Sequence, residues 1–104
     1  MKAESLKGHL DTLVLATLEA APLHGYAVID ELRARSEGAF DLAEGTVYPV
    51  LHRLEAEGLL SSAWSTVGGR KRRTYRLTRR GTTALARRRG EWRGFAHAVD
   101  AVLT

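Results

Sequence analysis

The chain has 104 residues, 44% of them hydrophobic, a formal net charge of +4 and no cysteine. That is one domain's worth of chain with a modest core, thin enough that a second copy would help it stand. It excludes disulfides and thiolate metal sites, and no apolar run approaches the roughly 20 residues a membrane span requires. The opening Met1-Lys2-Ala3-Glu4-Ser5-Leu6-Lys7 has no signal-peptide apolar stretch, so a soluble cytoplasmic protein is expected. The net charge hides a split: residues 1–60 carry five Lys/Arg against ten Asp/Glu, and residues 61–104 carry eleven against two. A half that basic points to polyanions or acidic surfaces as partners.

In chain order, residues 8–21 place Leu10, Leu13, Val14 and Leu18 at helical spacing before Pro22, which predicts a first helix. His24 to Ser36 follows after a short break. Tyr26, Ile29 and Leu32, with Val28, are expected on its inner face, opposite Asp30, Glu31, Arg33 and Arg35. His24 is read as a capping or packing residue at its head. Residues 37–42 form a turn-rich link from which Phe40 and Leu42 can enter the core.

The stretch from Ala43 to Gly58 is the one the rest places. Val47, Val50, Leu51 and Leu54 recur at i, i+3, i+4 and i+7, so one side packs inward. The outward side carries Thr46, Tyr48, Pro49, His52 and Arg53 with no strong acid among them. With Thr46 as N-cap, Pro49 falls in the first turn, where its missing N–H costs nothing. Gly58 supplies a left-handed end.

Leu59 to Val67, Gly68-Gly69 and then Arg72 to Leu77 read as strand, glycine turn, strand, a β-hairpin. Tyr75 and Leu77 are expected to face the helices, and Arg72 and Arg76 to face solvent or a ligand. Residues 70–80 hold seven cations, Arg70, Lys71, Arg72, Arg73, Arg76, Arg79 and Arg80, beside a Gly-Gly that lets the main chain approach a phosphate. Thr78 suits an N-cap for a long helix over 79–103, whose apolar members Leu85, Trp92, Phe95, Val99 and Val102 recur at spacings of seven, three, four and three. A core already covered by three helices cannot bury them all, so a seam to a second subunit is expected. The fold class is therefore mainly α with a small β-hairpin: a winged helix-turn-helix over residues 1–78 and a C-terminal dimerisation helix over 79–104, packed as one unit.

These residues carry a resemblance. Gly8-His9-Leu10, His24-Gly25-Tyr26, Glu44-Gly45-Thr46-Val47-Tyr48-Pro49, Leu51-His52-Arg53-Leu54, Glu57-Gly58-Leu59-Leu60, Gly69-Arg70-Lys71-Arg72 and Tyr75-Arg76-Leu77-Thr78 come in this order. Gly81 and a tryptophan-bearing last helix ending Ala98-Val99-Asp100-Ala101-Val102-Leu103 complete the set. Over essentially its whole length the chain resembles the PadR family of bacterial transcriptional regulators, in its compact branch with a single C-terminal helix. Ala43 departs from the pattern, since the family often has a capping residue there. The resemblance implies a homodimer that binds a palindromic double-stranded DNA operator, as a repressor released by a small-molecule effector. Carried onto this chain, the DNA-binding residues are Thr46, Tyr48, Pro49, His52, Arg53, Gly69, Arg70, Lys71 and Arg72. Arg79 and Arg80 are secondary. The dimer-interface residues are Leu10, Leu85, Trp92, Phe95, Val99, Val102 and Leu103. Trp92 is also the candidate contact for a planar aromatic effector, although an aromatic at such a seam is more often plain dimer core.

No cofactor is expected. His9, His24, His52 and His97 are scattered without metal-ligand spacing. Glu31, Glu44, Glu55 and Glu57 lack the paired setting that acid–base catalysis needs, so neither a metal site nor an enzyme is expected. The rival from another class is a winged-helix interaction module whose basic hairpin docks an acidic protein partner without reading DNA. RNA binding is less favoured, for want of an aromatic stacking platform.

Overall fold

A computed structural model describes Leu6 and residues 8–104. Helix α1 spans Leu10–Thr17, strand β1 Leu23–His24, helix α2 Gly25–Arg35 and helix α3 Glu44–Ala56. Strands β2 (Leu60–Val67) and β3 (Arg70–Leu77) then lead into helix α4 (Arg79–Leu103). The apolar stripes meet in one core: Val14, Leu15 and Leu18 from α1, Val28, Ile29 and Leu32 from α2, Val47, Val50, Leu51 and Leu54 from α3, and Leu60, Tyr75 and Leu85 from the elements that follow. Burying one such aliphatic side chain contributes about 1.5–3 kcal/mol, so the four α3 residues alone hold that helix to the body. Phe40 and Leu42 enter the core as expected, Leu42 buried and Phe40 packed against it.

Three boundaries differ from the sequence expectation. Helix α1 ends at Thr17, four residues early. Leu18 and Glu19 N–H tighten onto Leu15 and Ala16 carbonyls (3.1 and 3.3 Å), and the chain must be extended before Pro22. Helix α3 starts earlier than its best capping side chain would suggest. Its N-cap is Ala43, with no side-chain cap, and Thr46 already lies in the first turn, its N–H donating to Ala43 O (3.0 Å). Pro49 is consequently inside the helix, and the Gly45 carbonyl loses the N–H it would otherwise accept. The third difference is a strand. Leu23 and His24 pair antiparallel with Tyr75 and Thr74, so the hairpin is two strands of a three-stranded sheet in the order β1-β3-β2.

The hairpin turns through Gly68 (φ 57°) and Gly69 (φ 78°). Two successive left-handed residues are the I′ pattern that suits the strand twist. From Leu60↔Leu77 to Val67↔Arg70 the register runs without a break.

Four residues lock α3 to α4. Gly58 (φ 80°) closes α3, with Gly58 N–H on Glu55 O (3.0 Å) and Leu59 N–H on Leu54 O (3.0 Å), a Schellman end. Thr78 caps α4 by accepting from Gly81 N–H (3.0 Å) while its hydroxyl donates to Gly58 O (2.7 Å). Thr78 N–H donates to Leu59 O (3.1 Å). A Cβ on Gly81 would lie 2.0 Å from that same Leu59 oxygen, so only glycine lets α4 start this close. Beyond Leu85 the helix runs on with little beneath it, and the molecule measures 54 × 28 × 21 Å.

Candidate nucleic-acid interface

Around α3, at about 100° per residue, the buried stripe stands opposite Gly45, Pro49, His52 and Ala56, all exposed. No side chain of that strip is acidic. Thr46 and Arg53 form one flank, towards α1; Tyr48 and Glu55 form the other, towards α2 and the hairpin. Tyr48 is packed, as an aromatic beside a proline often is. Its ring fills the place a Cβ on Gly25 would need, 2.6 Å away, and meets Tyr26 and His52 edge-on at centroid distances of 6.2 and 6.3 Å. Burial raises the pKa of its hydroxyl, with the Glu44 carboxylate adding to the effect.

Tyr26 is a correction. Expected on the inner face of α2, it is 58% exposed, because Gly25, Val28, Ile29 and Leu32 supply that face. The Glu44 carboxylate beside its hydroxyl raises its pKa. Tyr26 thus belongs to the surface around the start of α3, which a count of apolar spacing misassigned.

The expected DNA-facing cations stand in different states. Arg70 and Lys71 are exposed at the glycine tip, next to Gly69, and like Arg76, Arg79 and Arg80 they form none of the ion pairs among the described residues. Arg72 lies with a guanidinium nitrogen 2.8 Å from His24 Nε2. His24 is the N-cap of α2, as expected, with Ala27 N–H donating to its Nδ1 (3.3 Å). A neutral imidazole has one lone-pair nitrogen, so it can accept from Ala27 or from Arg72 but not both. Arg53 is not free. Two of its nitrogens reach the two carboxylate oxygens of Asp11 at 2.7 and 2.8 Å, and Glu57 stands 3.5 Å away. The Arg53 hydrogen bond is the main reason the Asp11 carboxyl titrates below the usual range, with Arg88 assisting at 3.8 Å. Arg73, on the inner face of the hairpin, bonds Glu55 and Ser62 (both 2.8 Å) and lies 5.7 Å over the Trp64 and Tyr75 rings.

The residues expected at a subunit seam also divide. Leu85 is a correction: 1% exposed, it belongs to the protomer's own core, and Leu10 is half-buried against the same core. Further along α4, Trp92 is 49%, Phe95 58% and Val102 85% exposed, with Leu103 exposed beside them and Val99 half-buried. Trp92 meets His9 edge-on (5.1 Å) and Phe95 at 6.0 Å. The two rings close one side of an open groove of about 1210 Å³ between α1 and α4, whose walls include Asp11, Leu13, Arg53 and Arg88. Among the described residues no group of three or more His, Asp or Glu could hold a metal ion, and no helix is long and apolar enough to cross a membrane.

Residues 14–87 match the transcriptional regulator PadR-like family. A transcriptional regulator of Mycobacterium tuberculosis is 48% identical over 63 residues, 61% of this chain and 56% of its own. Among solved structures, a PadR family transcription regulator from Clostridium difficile superposes with a TM-score of 0.83 at 32% identity, covering 92% of this chain and 99% of that one. A PadR-like transcriptional regulator from Bacillus cereus superposes at 0.85 and 25% identity, covering 98% of each.

Proposed function

We propose that this chain, which belongs to the PadR-like family of transcriptional regulators, acts in the cytoplasm as a homodimer that binds a palindromic DNA operator and represses. The family is one of regulators, not enzymes. Each protomer would lay α3 in a major groove, presenting Thr46, Pro49 and His52, with the edge of Tyr48 beside them. The hairpin would bring Gly69, Arg70 and Lys71 to the phosphates, and Arg72 once it leaves His24. Half-sites would lie about one helical turn, roughly 10 bp, apart. The distal face of α4, with Trp92, Phe95, Val99, Val102 and Leu103, would clasp the second copy. An effector, where one acts, would be a planar aromatic molecule stacked on Trp92 in the groove beside α1.

The proposal is supported by an exposed, acid-free strip on α3 together with Arg70 and Lys71, exposed at a glycine tip and in none of the ion pairs among the described residues. Phosphate contacts set affinity and salt dependence, and base-edge contacts set sequence choice. A mobility-shift titration on the protein's own upstream region, repeated over a range of salt, is the test. Binding that weakens with salt, and Thr46→Ala or His52→Ala variants that relax base preference, are expected. No shift at low salt with any duplex would favour the rival, an acidic protein partner on the hairpin. A monomer at micromolar concentration would remove the clasp.

A further inference from the structure

Two ion pairs of opposite polarity leave α3 on opposite flanks. On one side the Arg53 guanidinium is bidentate to Asp11 of α1; on the other the Glu55 carboxylate takes Arg73 of β3 at 2.8 Å. At about 100° per residue, positions 53 and 55 stand about 160° apart measured across the exposed strip, so Gly45, Pro49 and His52 lie between them. Leucine and valine contacts hold a helix down through close packing but carry no directional bond. A fork-to-carboxylate pair is directional. On the Asp11 flank the pair is a fork; on the other, Arg73 gives one nitrogen to Glu55 Oε1 and its Nε to Ser62 Oγ, both at 2.8 Å, and together the two flanks restrict rotation of α3 about its own axis.

Building on α3 as the DNA-reading element, we propose that Asp11 is a positioning residue: through Arg53 it sets the roll angle at which α3 presents Thr46, Pro49 and His52. Arg53 is then a strut within the chain and not a phosphate contact. Asp11 belongs to the first turn of α1 and is held between two cations, Arg53 at 2.7 Å and Arg88 at 3.8 Å. Its side chain is only 26% exposed, so withdrawing Arg53 to a phosphate would leave a half-buried carboxylate with the longer pair alone. That cost favours keeping the strut.

The two roles give opposite signs for one substitution. For a strut, Asp11→Asn and Arg53→Gln each weaken operator binding by about tenfold, the double variant binds no worse than the weaker single one, and the salt slope keeps its parental value. Asp11→Glu, which retains the carboxylate, recovers most of the loss. Base preference relaxes in Asp11→Asn although Asp11 is not on the α3 surface. For a phosphate contact, Asp11→Asn frees the guanidinium and binds as well as the parent or better, while Arg53→Gln lowers the slope by about one. Arg53→Lys is a second variant, independent of any destabilisation by Asp11→Asn. Lysine serves a phosphate as a point charge but cannot make the bidentate pair, so a strut predicts loss and a phosphate contact predicts retention. Thermal melts confirm that each variant is folded at the assay temperature. A parent that shifts no duplex sinks the DNA reading itself; a parent that binds, with an unaffected Asp11→Asn and Arg53→Lys, sinks the strut alone.

Discussion

The cations of the second half of the chain occupy two regions with different electrostatics. Along the middle of α4, Arg87, Arg88 and Arg89 each face a carboxylate, on Glu91, Asp11 and Glu19. Around the hairpin tip and the start of α4, Arg70, Lys71, Arg76, Arg79 and Arg80 face none among the described residues. Both regions count alike towards net charge. Exposed ion pairs add little stability, but they cancel each other's field a few ångströms out, whereas unpaired cations on a projecting hairpin sum theirs. Of the eleven late Lys/Arg, Arg73, Arg87, Arg88 and Arg89 are matched by carboxylates within the chain, Arg72 lies on His24, and the rest, Arg93 further along α4 included, face outwards without an ion pair among the described residues.

The division breaks if charge alone matters. Replacing Arg70 and Lys71 together with alanine should weaken DNA binding by about tenfold to a hundredfold at ordinary salt and make the log–log salt slope shallower by about two. Replacing Arg87 and Arg89 removes the same charge and should leave that slope unchanged; equal losses from both pairs would erase the distinction. A smaller effect sharpens the other side of the interface. His52→Ala should cost about 1–3 kcal/mol at one base pair per half-site, with the salt slope kept, as read by competition among single-base operator variants. Acid tests the paired region. Because Arg53 holds the Asp11 carboxyl below its ordinary value, the native state binds that proton less readily than the unfolded chain. The stabilisation is complete above the unfolded carboxylate pKa of about 3.9 and is lost as pH falls through the lower native value. Melting temperatures followed downwards from pH 6 should drop, and Asp11→Asn should flatten that part of the profile. Smallest of all, Glu19→Gln should leave the melting temperature within scatter, since its pair with Arg89 is partly exposed, Glu19 at 49%, and such surface pairs contribute little.

Most of the fold was legible because it is written in local periodicity. The α3 stripe, the Gly68-Gly69 turn, the Gly58 end and the Thr78 cap all lie within a few residues of what they determine. What was not legible depends on partners far along the chain. Leu23-His24 is a strand only because Tyr75 and Thr74 come alongside. Arg53 looked like a free cation on an acid-free face, and its acid is 42 residues away in α1. Tyr26 has the spacing of a core residue, yet the core beneath α2 was already filled. Local chemistry also misled at Thr46: the best capping side chain in the stretch is not the cap, since α3 begins at an uncapped alanine and its burial outweighs the lost bond. Arg70 and Lys71 stand exposed at the glycine turn where the hairpin pattern put them, and form none of the ion pairs among the described residues.

The shared peptide at Leu59 has a mechanical consequence. Its carbonyl receives the Thr78 N–H and abuts Gly81, while its own N–H seals the end of α3, so the two helices are welded at one joint with no slack residue between them. A rod of 25 residues is about 37 Å long, and swinging its far tip by 3 Å turns it through roughly five degrees. The angle at which that long tail leaves the body is thus set at the same residue that closes α3.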